Sequence, residues 1–184
     1  MKVRDVCLDY QHSFANNALT WTFPINIVDP ITEIKLHFRA KNDVKGTAAT
    51  TPTWLWPHPL PYCVKEVAVI DGSEVIFALD GAEMVAMSCF DLGYAPFHRH
   101  NENPLATHHW CLPIHFGRHL FDPEWIFDPK KFRNPQLRIT WDLAVIQPVG
   151  PGSFIDTETT AVEWSIWAKI MEEGARPRGY LMTK

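Results

Sequence analysis

Histidine is the residue type in this chain with the most obvious chemical potential. His98, His100, His108, His109, His115 and His119 crowd into one stretch of the sequence. Imidazole is the commonest transition-metal ligand and the side chain whose ordinary titration lies nearest neutrality, so metal binding and proton transfer are the chemistries to weigh first. The candidate ligands are His98, His100, His109 and His115. Strand alternation puts His109 and His115 on the face opposite Trp110, Leu112 and Ile114, with His108 turned the other way. The cluster therefore divides in space, and these residues read as ordinary loop and surface histidines, with no metal or cofactor expected.

Other candidates are weaker. Cys111 sits close to His109 and His115, but nothing around it marks an activated thiolate. No G-x-S-x-G elbow, phosphate-cradling glycine loop or H-E-x-x-H run is present in the sequence. Asp122, Glu124 and Asp128 could be a carboxylate set for acid–base work. Interleaved with Pro123 and Pro129, they read instead as turn residues whose carboxylates cap local N–H groups. The proline-rich run at 51–61 presents Trp54 and Trp56, whose flat faces could stack on a sugar ring, fill a partner's pocket, or fold back over the end of a sheet.

The elements that must position these residues are strands. Leu19, Trp21, Phe23, Ile25 and Ile27 alternate with smaller or polar residues, and so do Ile34, Leu36, Phe38 and Ala40 against Lys35, His37, Arg39 and Lys41. The pattern returns at Trp110 to Phe116, at Leu137 to Val145, and at Val162 to Ile170. Residues 64–70 and 73–80 flank Asp71-Gly72, a two-residue hairpin signal. Closing the turn there sets Ile70 opposite Ser73, Ala68 opposite Val75, and Val64 opposite Leu79. A further strand at 3–10 would turn Val6, Leu8 and Tyr10 inward. The predicted fold is all-β, an eight-stranded antiparallel jelly-roll sandwich with one short helix after the central hairpin. That helix spans 81–92, where Ala, Met and Glu dominate and Gly93 supplies the stop. A short turn is expected at 123–126, and long loops at 42–62, 94–107 and 118–135. Residues 1–172 read as a single domain, with 173–184 as a linker or C-terminal extension.

Composition narrows the function. The 184 residues are 46% hydrophobic and 21% charged, as in globular proteins, and carry a net charge of −4. That balance argues against a protein that neutralises nucleic-acid phosphates, and no apolar run is long enough to span a bilayer. Fifteen prolines, eight tryptophans and eleven phenylalanines disfavour helices and suit sheet cores. The four cysteines, at 7, 63, 89 and 111, form no C-x-x-C pair and read as buried free thiols in a reducing compartment.

One stretch carries a resemblance. Phe116-Gly-Arg-His-Leu-Phe-Asp-Pro, followed by Asn134-Pro-Gln-Leu-Arg-Ile-Thr140, resembles jelly-roll major capsid proteins of tailless icosahedral viruses. There, an F-G-R strand end meets a loop leading into an N-P-x-L-x-I-T strand. The hairpin-to-helix run Val67 to Gly81, and the closing strand followed by Met171-Glu-Glu-Gly and R-P-R-G-Y, are similar to the same proteins. The resemblance implies a non-enzymatic virion protein, assembled in the host cytoplasm, that builds a capsid through lateral contacts with other subunits. It implies trimers, or pairing with a second jelly roll, and the length suits either the first roll of a double-roll protein or a single-roll relative. Trp54, Trp56, Pro57, Phe97, Arg118 and Trp125 are the candidate contact residues. Two alternatives stand beside it. One is a carbohydrate-binding sandwich using Trp54 and Trp56. The other is a cupin-like metal protein built on His98-Arg99-His100-Asn101-Glu102, where the glycines and the spacing of that motif are missing.

Overall fold

Period-two alternation gives each strand one apolar face, and two sheets bury those faces against each other. The computed structural model describes residues 2–14, 19–41, 60–99, 107–142 and 162–177. One sheet has five strands, ordered β1 (Lys2–Phe14), β9 (Val162–Glu173), β3 (Ile31–Lys41), β7 (Thr107–His115) and β6 (His98–Arg99). The other has four, ordered β2 (Leu19–Pro24), β8 (Pro135–Trp141), β4 (Val64–Asp71) and β5 (Glu74–Leu79). All pairings are antiparallel. Apart from the β4–β5 hairpin and the short β6–β7 pair, successive strands switch sheets. That wrapping is the jelly roll. Each of the eight predicted strands has its counterpart, although β2 stops at Pro24 short of Ile25 and Ile27 and residues 143–145 lie outside the described residues, and β6 adds a two-residue ninth inside the expected 94–107 loop.

The core lies between the sheets. Ile34, Leu36, Phe38 and Ala40 of β3 are fully buried, as are Leu112 of β7 and Trp164, Ile166 and Ala168 of β9. They meet Val67, Val69, Leu137, Ile139 and Trp141 from the opposite sheet. Phe38 packs on Trp164 with ring centroids 4.5 Å apart, and Trp141 approaches Trp164 at 6.1 Å, so three large rings link the two layers. Each such side chain contributes about 1.5–3 kcal/mol by leaving water.

The helix α1 (Gly81–Leu92) spans the predicted residues, with ends fixed by local chemistry. The Asp80 carboxylate accepts from the Glu83 N–H at 2.7 Å, and the Glu83 carboxylate accepts from the Asp80 N–H at 2.9 Å, a complete capping box. Gly93 takes the left-handed conformation at φ 76° that ends the helix. At the first turn a Cβ on Gly81 would lie 1.9 Å from the Pro61 carbonyl oxygen, so only glycine lets the 3-10 turn Leu60–Cys63 pack there.

Several sequence expectations are corrected. In the hairpin Val67 faces Leu79, Ala68 faces Ala78, and Ile70 faces Val75 across a register shift, with Gly72-Ser73 as the turn. Asp71 stays in the ladder opposite Glu74, because its carboxylate accepts from the Asn134 and Arg133 N–H groups at 2.7 and 3.2 Å. On β1, Val6 and Leu8 pack on the core but Tyr10 is 64% exposed. Register shifts at 7–9 and 9–12, with Gln11 at φ 50°, flip that end of the strand. Leu19 is exposed where β2 begins. The short turn of helix falls at Pro129–Lys131, capped by Asp128, and not at 123–126. Of the four cysteines only Cys63 is buried; Cys111 is half-buried, and Cys7 and Cys89 are exposed. The strand β9 runs to Glu173, and the next residues stay attached: the Arg176 N–H donates to the Pro123 carbonyl at 2.7 Å.

Candidate functional site

Strand register sends each described histidine to a different partner. His98 stacks on Trp110, with ring centroids 4.8 Å apart, and its Nδ1 donates to the Pro96 carbonyl at 3.0 Å. His109 meets His37 of β3, nitrogen to nitrogen at 3.0 Å. His115 donates from Nε2 to Glu33 Oε1 at 3.1 Å, and its Nδ1 lies 3.7 Å from Asp91 of α1. His119 is exposed on its loop, and His100 lies outside the described residues. The three described candidates, His98, His109 and His115, thus take separate partners. Among the described residues no group of three His, Cys, Asp or Glu side chains is placed to hold a metal ion.

Glu33 anchors a buried ionic network on the outer face of β3. Burial would raise its carboxyl, but the His115 hydrogen bond and the Lys35 and Lys169 ammoniums at 3.3 and 3.6 Å outweigh that and hold it low. The network joins β3, β7, β9 and α1. Its geometry is that of a structural clamp, and Cys111 beside it has a thiol pushed up by burial, the reverse of an activated nucleophile.

The loop between β7 and β8 is built around Asp122. This side chain is fully buried, and its carboxylate accepts from Arg118 Nε at 2.7 Å, from the Arg118 N–H at 3.2 Å, and from the Glu124 and Trp125 N–H groups at 3.0 and 3.3 Å. The Arg118 guanidinium, with the backbone donors, holds that carboxyl well below the usual carboxylate range. Gly117, at φ 91°, is required because a Cβ there would lie 2.7 Å from the Trp125 carbonyl oxygen. Phe127 pairs with Ile31 through two backbone hydrogen bonds, and the Phe121 N–H donates to Thr32 Oγ1 at 2.9 Å. Of the candidate contact residues, Arg118 is therefore committed to its own loop, although its outer side stays exposed, and Trp125 is half-buried above Gly117. Trp54, Trp56 and Pro57 lie outside the described residues.

Phe97 is different. It is 65% exposed, and it stands with Tyr94 at 65% and Phe90 at 87% between the end of α1 and β6. Its carbonyl accepts from the Cys111 N–H at 2.9 Å, which ties Phe97 to the sheet edge. Phe90 and Tyr94 were missed by the sequence reading. Helical phase carried the signal, since Met84 and Ser88 share the buried face and Phe90 lies about 200° round from Ser88.

No protein-family model matches the chain, and no curated protein does either. Solved structures do. The atomic structure of Sulfolobus Turreted Icosahedral Virus matches at TM-score 0.62 with 16% identity, over 92% of this chain and 45% of that chain. The crystal structure of the STIV MCP matches at 0.55 with 15% identity, over 94% and 49%. The PBCV-1 virus capsid matches at 0.59 with 12% identity, over 92% and 41%. This chain has the jelly-roll fold of those viral major capsid proteins. It spans less than half the length of each of the matched chains.

Proposed function

We propose that the chain is a structural virion protein, a jelly-roll block that builds a capsid through lateral contacts with like subunits. One observation carries this reading. The two-sheet roll, ordered β1-β9-β3-β7 against β2-β8-β4-β5, is similar in structure to solved virus coat structures over more than nine-tenths of the chain. The exposed Phe90, Tyr94 and Phe97, close in sequence, support it, since exposed aromatics suit lateral packing at low entropic cost. The proposed unit is one roll, residues 1–172, with 173–184 as a linker or C-terminal extension whose Arg176 N–H holds to the Pro123 carbonyl. The net charge of −4 fits a shell that does not bind nucleic acid directly. No helix among the described residues is long and apolar enough to cross a membrane.

Sedimentation velocity over a broad concentration range tests the reading. The expected result is reversible association that weakens in Phe90→Ser and Phe97→Ser while the far-UV spectrum stays unchanged. A species that remains monomeric at every concentration would overturn it.

A further inference from the structure

His37 and His109 face each other on the outer side of the β3–β7 seam, on strands that the sequence separates by more than sixty residues. Their nitrogens are 3.0 Å apart, their ring planes differ by only 6°, and their centroids are 5.2 Å apart. With so short a gap and so long a centroid separation, the rings lie end to end. The two nitrogens point straight at one another, the geometry of a linear N–H···N hydrogen bond.

Proton counting fixes what that bond tolerates. Two neutral imidazoles supply one N–H and one lone pair across the gap. One added proton can go to the far nitrogen of the donor ring and leave the bond charge-assisted. A second proton must occupy the remaining lone pair, setting N–H against N–H at a distance that cannot hold them. We propose that the His37–His109 pair is an acid-sensitive latch on the β3–β7 seam, closed with up to one added proton and opened by the second.

The surroundings tilt the latch toward opening. Lys35 and Arg39 flank His37 on β3, and Arg99 of β6 is the register partner of His109. Cys111 lies opposite His37 on β7, and Ser165 opposite it on β9. The nearby anion is Glu163 of β9, which is already taken by Arg39 at 2.8 Å. Desolvation comes first in pushing both imidazoles below their ordinary value of 6.5, followed by Arg39 at His37 and by His37, Arg39 and Arg99 at His109. Both folded values are depressed, so the unfolded chain binds more protons below that pH. The stabilisation is complete above 6.5 and is lost as the pH falls through the folded values, by up to about tenfold per pH unit for each proton. The seam it guards holds β7, whose far edge among the described residues pairs with the two residues of β6 and the Phe97 carbonyl.

The test is an imidazole 15N titration of the whole chain, paired with amide hydrogen exchange on wild type and on His37→Gln/His109→Gln. Two separate steps are expected for this pair, both below 6.5, and the protection of β7 amides, corrected for intrinsic exchange, should fall with acid in wild type and not in the double variant. The His115–Glu33 pair is common to both proteins, so their difference isolates the latch. Two rings that titrate independently near 6.5 would overturn the proposal, and so would an equal acid loss of protection in both proteins. If the double variant does not fold, the wild-type titration decides alone.

Discussion

Asp122→Ala is the most informative single perturbation of this fold. The residue is a side-chain acceptor in the middle of a long loop, with no solvent exposure and five donors converging on its carboxylate, two of them from the Arg118 guanidinium. Truncation leaves the Glu124, Trp125 and Arg118 N–H groups without that acceptor and removes the counter-charge of Arg118. A buried donor left unmade costs about 1–3 kcal/mol, and breaking a buried charge pair costs about 3–5 kcal/mol in all. Because Arg118 can turn its half-exposed guanidinium to water, the lower half of that range applies, about 3–4 kcal/mol. Asp122→Asn keeps one oxygen and should cost roughly half as much, and Arg118→Ala should cost less than either. The sign of the pH dependence follows from the depressed carboxyl. Its contribution is present above the unfolded value of 3.8 and disappears as the pH falls through the folded one. Urea unfolding followed by tryptophan fluorescence, at neutral pH and in acid, measures each of these. A loss below about 1 kcal/mol for Asp122→Ala at neutral pH would refute the reasoning, because it would mean that water replaces the carboxylate freely.

Three further outcomes are expected. Gly81→Ala, which in an open helix would gain stability, should lose about 1–3 kcal/mol, because the new Cβ meets the Pro61 carbonyl oxygen at 1.9 Å; a neutral or stabilising result would show that the 60–63 turn can move away. Glu33→Gln should cost about 2–4 kcal/mol by stranding Lys35, Lys169 and His115, and urea midpoints should show the deficit above pH 4.5 and its loss as Glu33 itself protonates in acid. A thiol reagent should modify Cys7 and Cys89 in the native protein, and Cys63, buried with its thiol pushed far up, only on unfolding; uniform kinetics for all four would contradict the burial.

Much of the fold was legible because strand alternation and helix capping are local. The Lys35–His37–Arg39 face of β3 and the Asp80–Gly93 limits of α1 follow from residues within a few positions of each other. What could not be read depends on contacts across the chain. Tyr10 turns outward because of a β1 bulge against β9, and Asp71 leaves the turn because Arg133 and Asn134 claim its carboxylate. The candidate site was legible in part. Phe97 and Arg118 were both named as contact residues from the sequence, but the hydrogen bonds of Arg118 to Asp122, four residues on, depend on the folded loop. The neighbour of His109 is His37, and only the β3–β7 register brings the two together.

Single-particle electron cryomicroscopy of the purified chain at high concentration tests the central proposal most directly. The result expected is a repeating assembly of jelly rolls in which Phe90, Tyr94 and Phe97 are buried against a neighbouring subunit. Isolated rolls, or an assembly that leaves those three side chains in solvent, would contradict it.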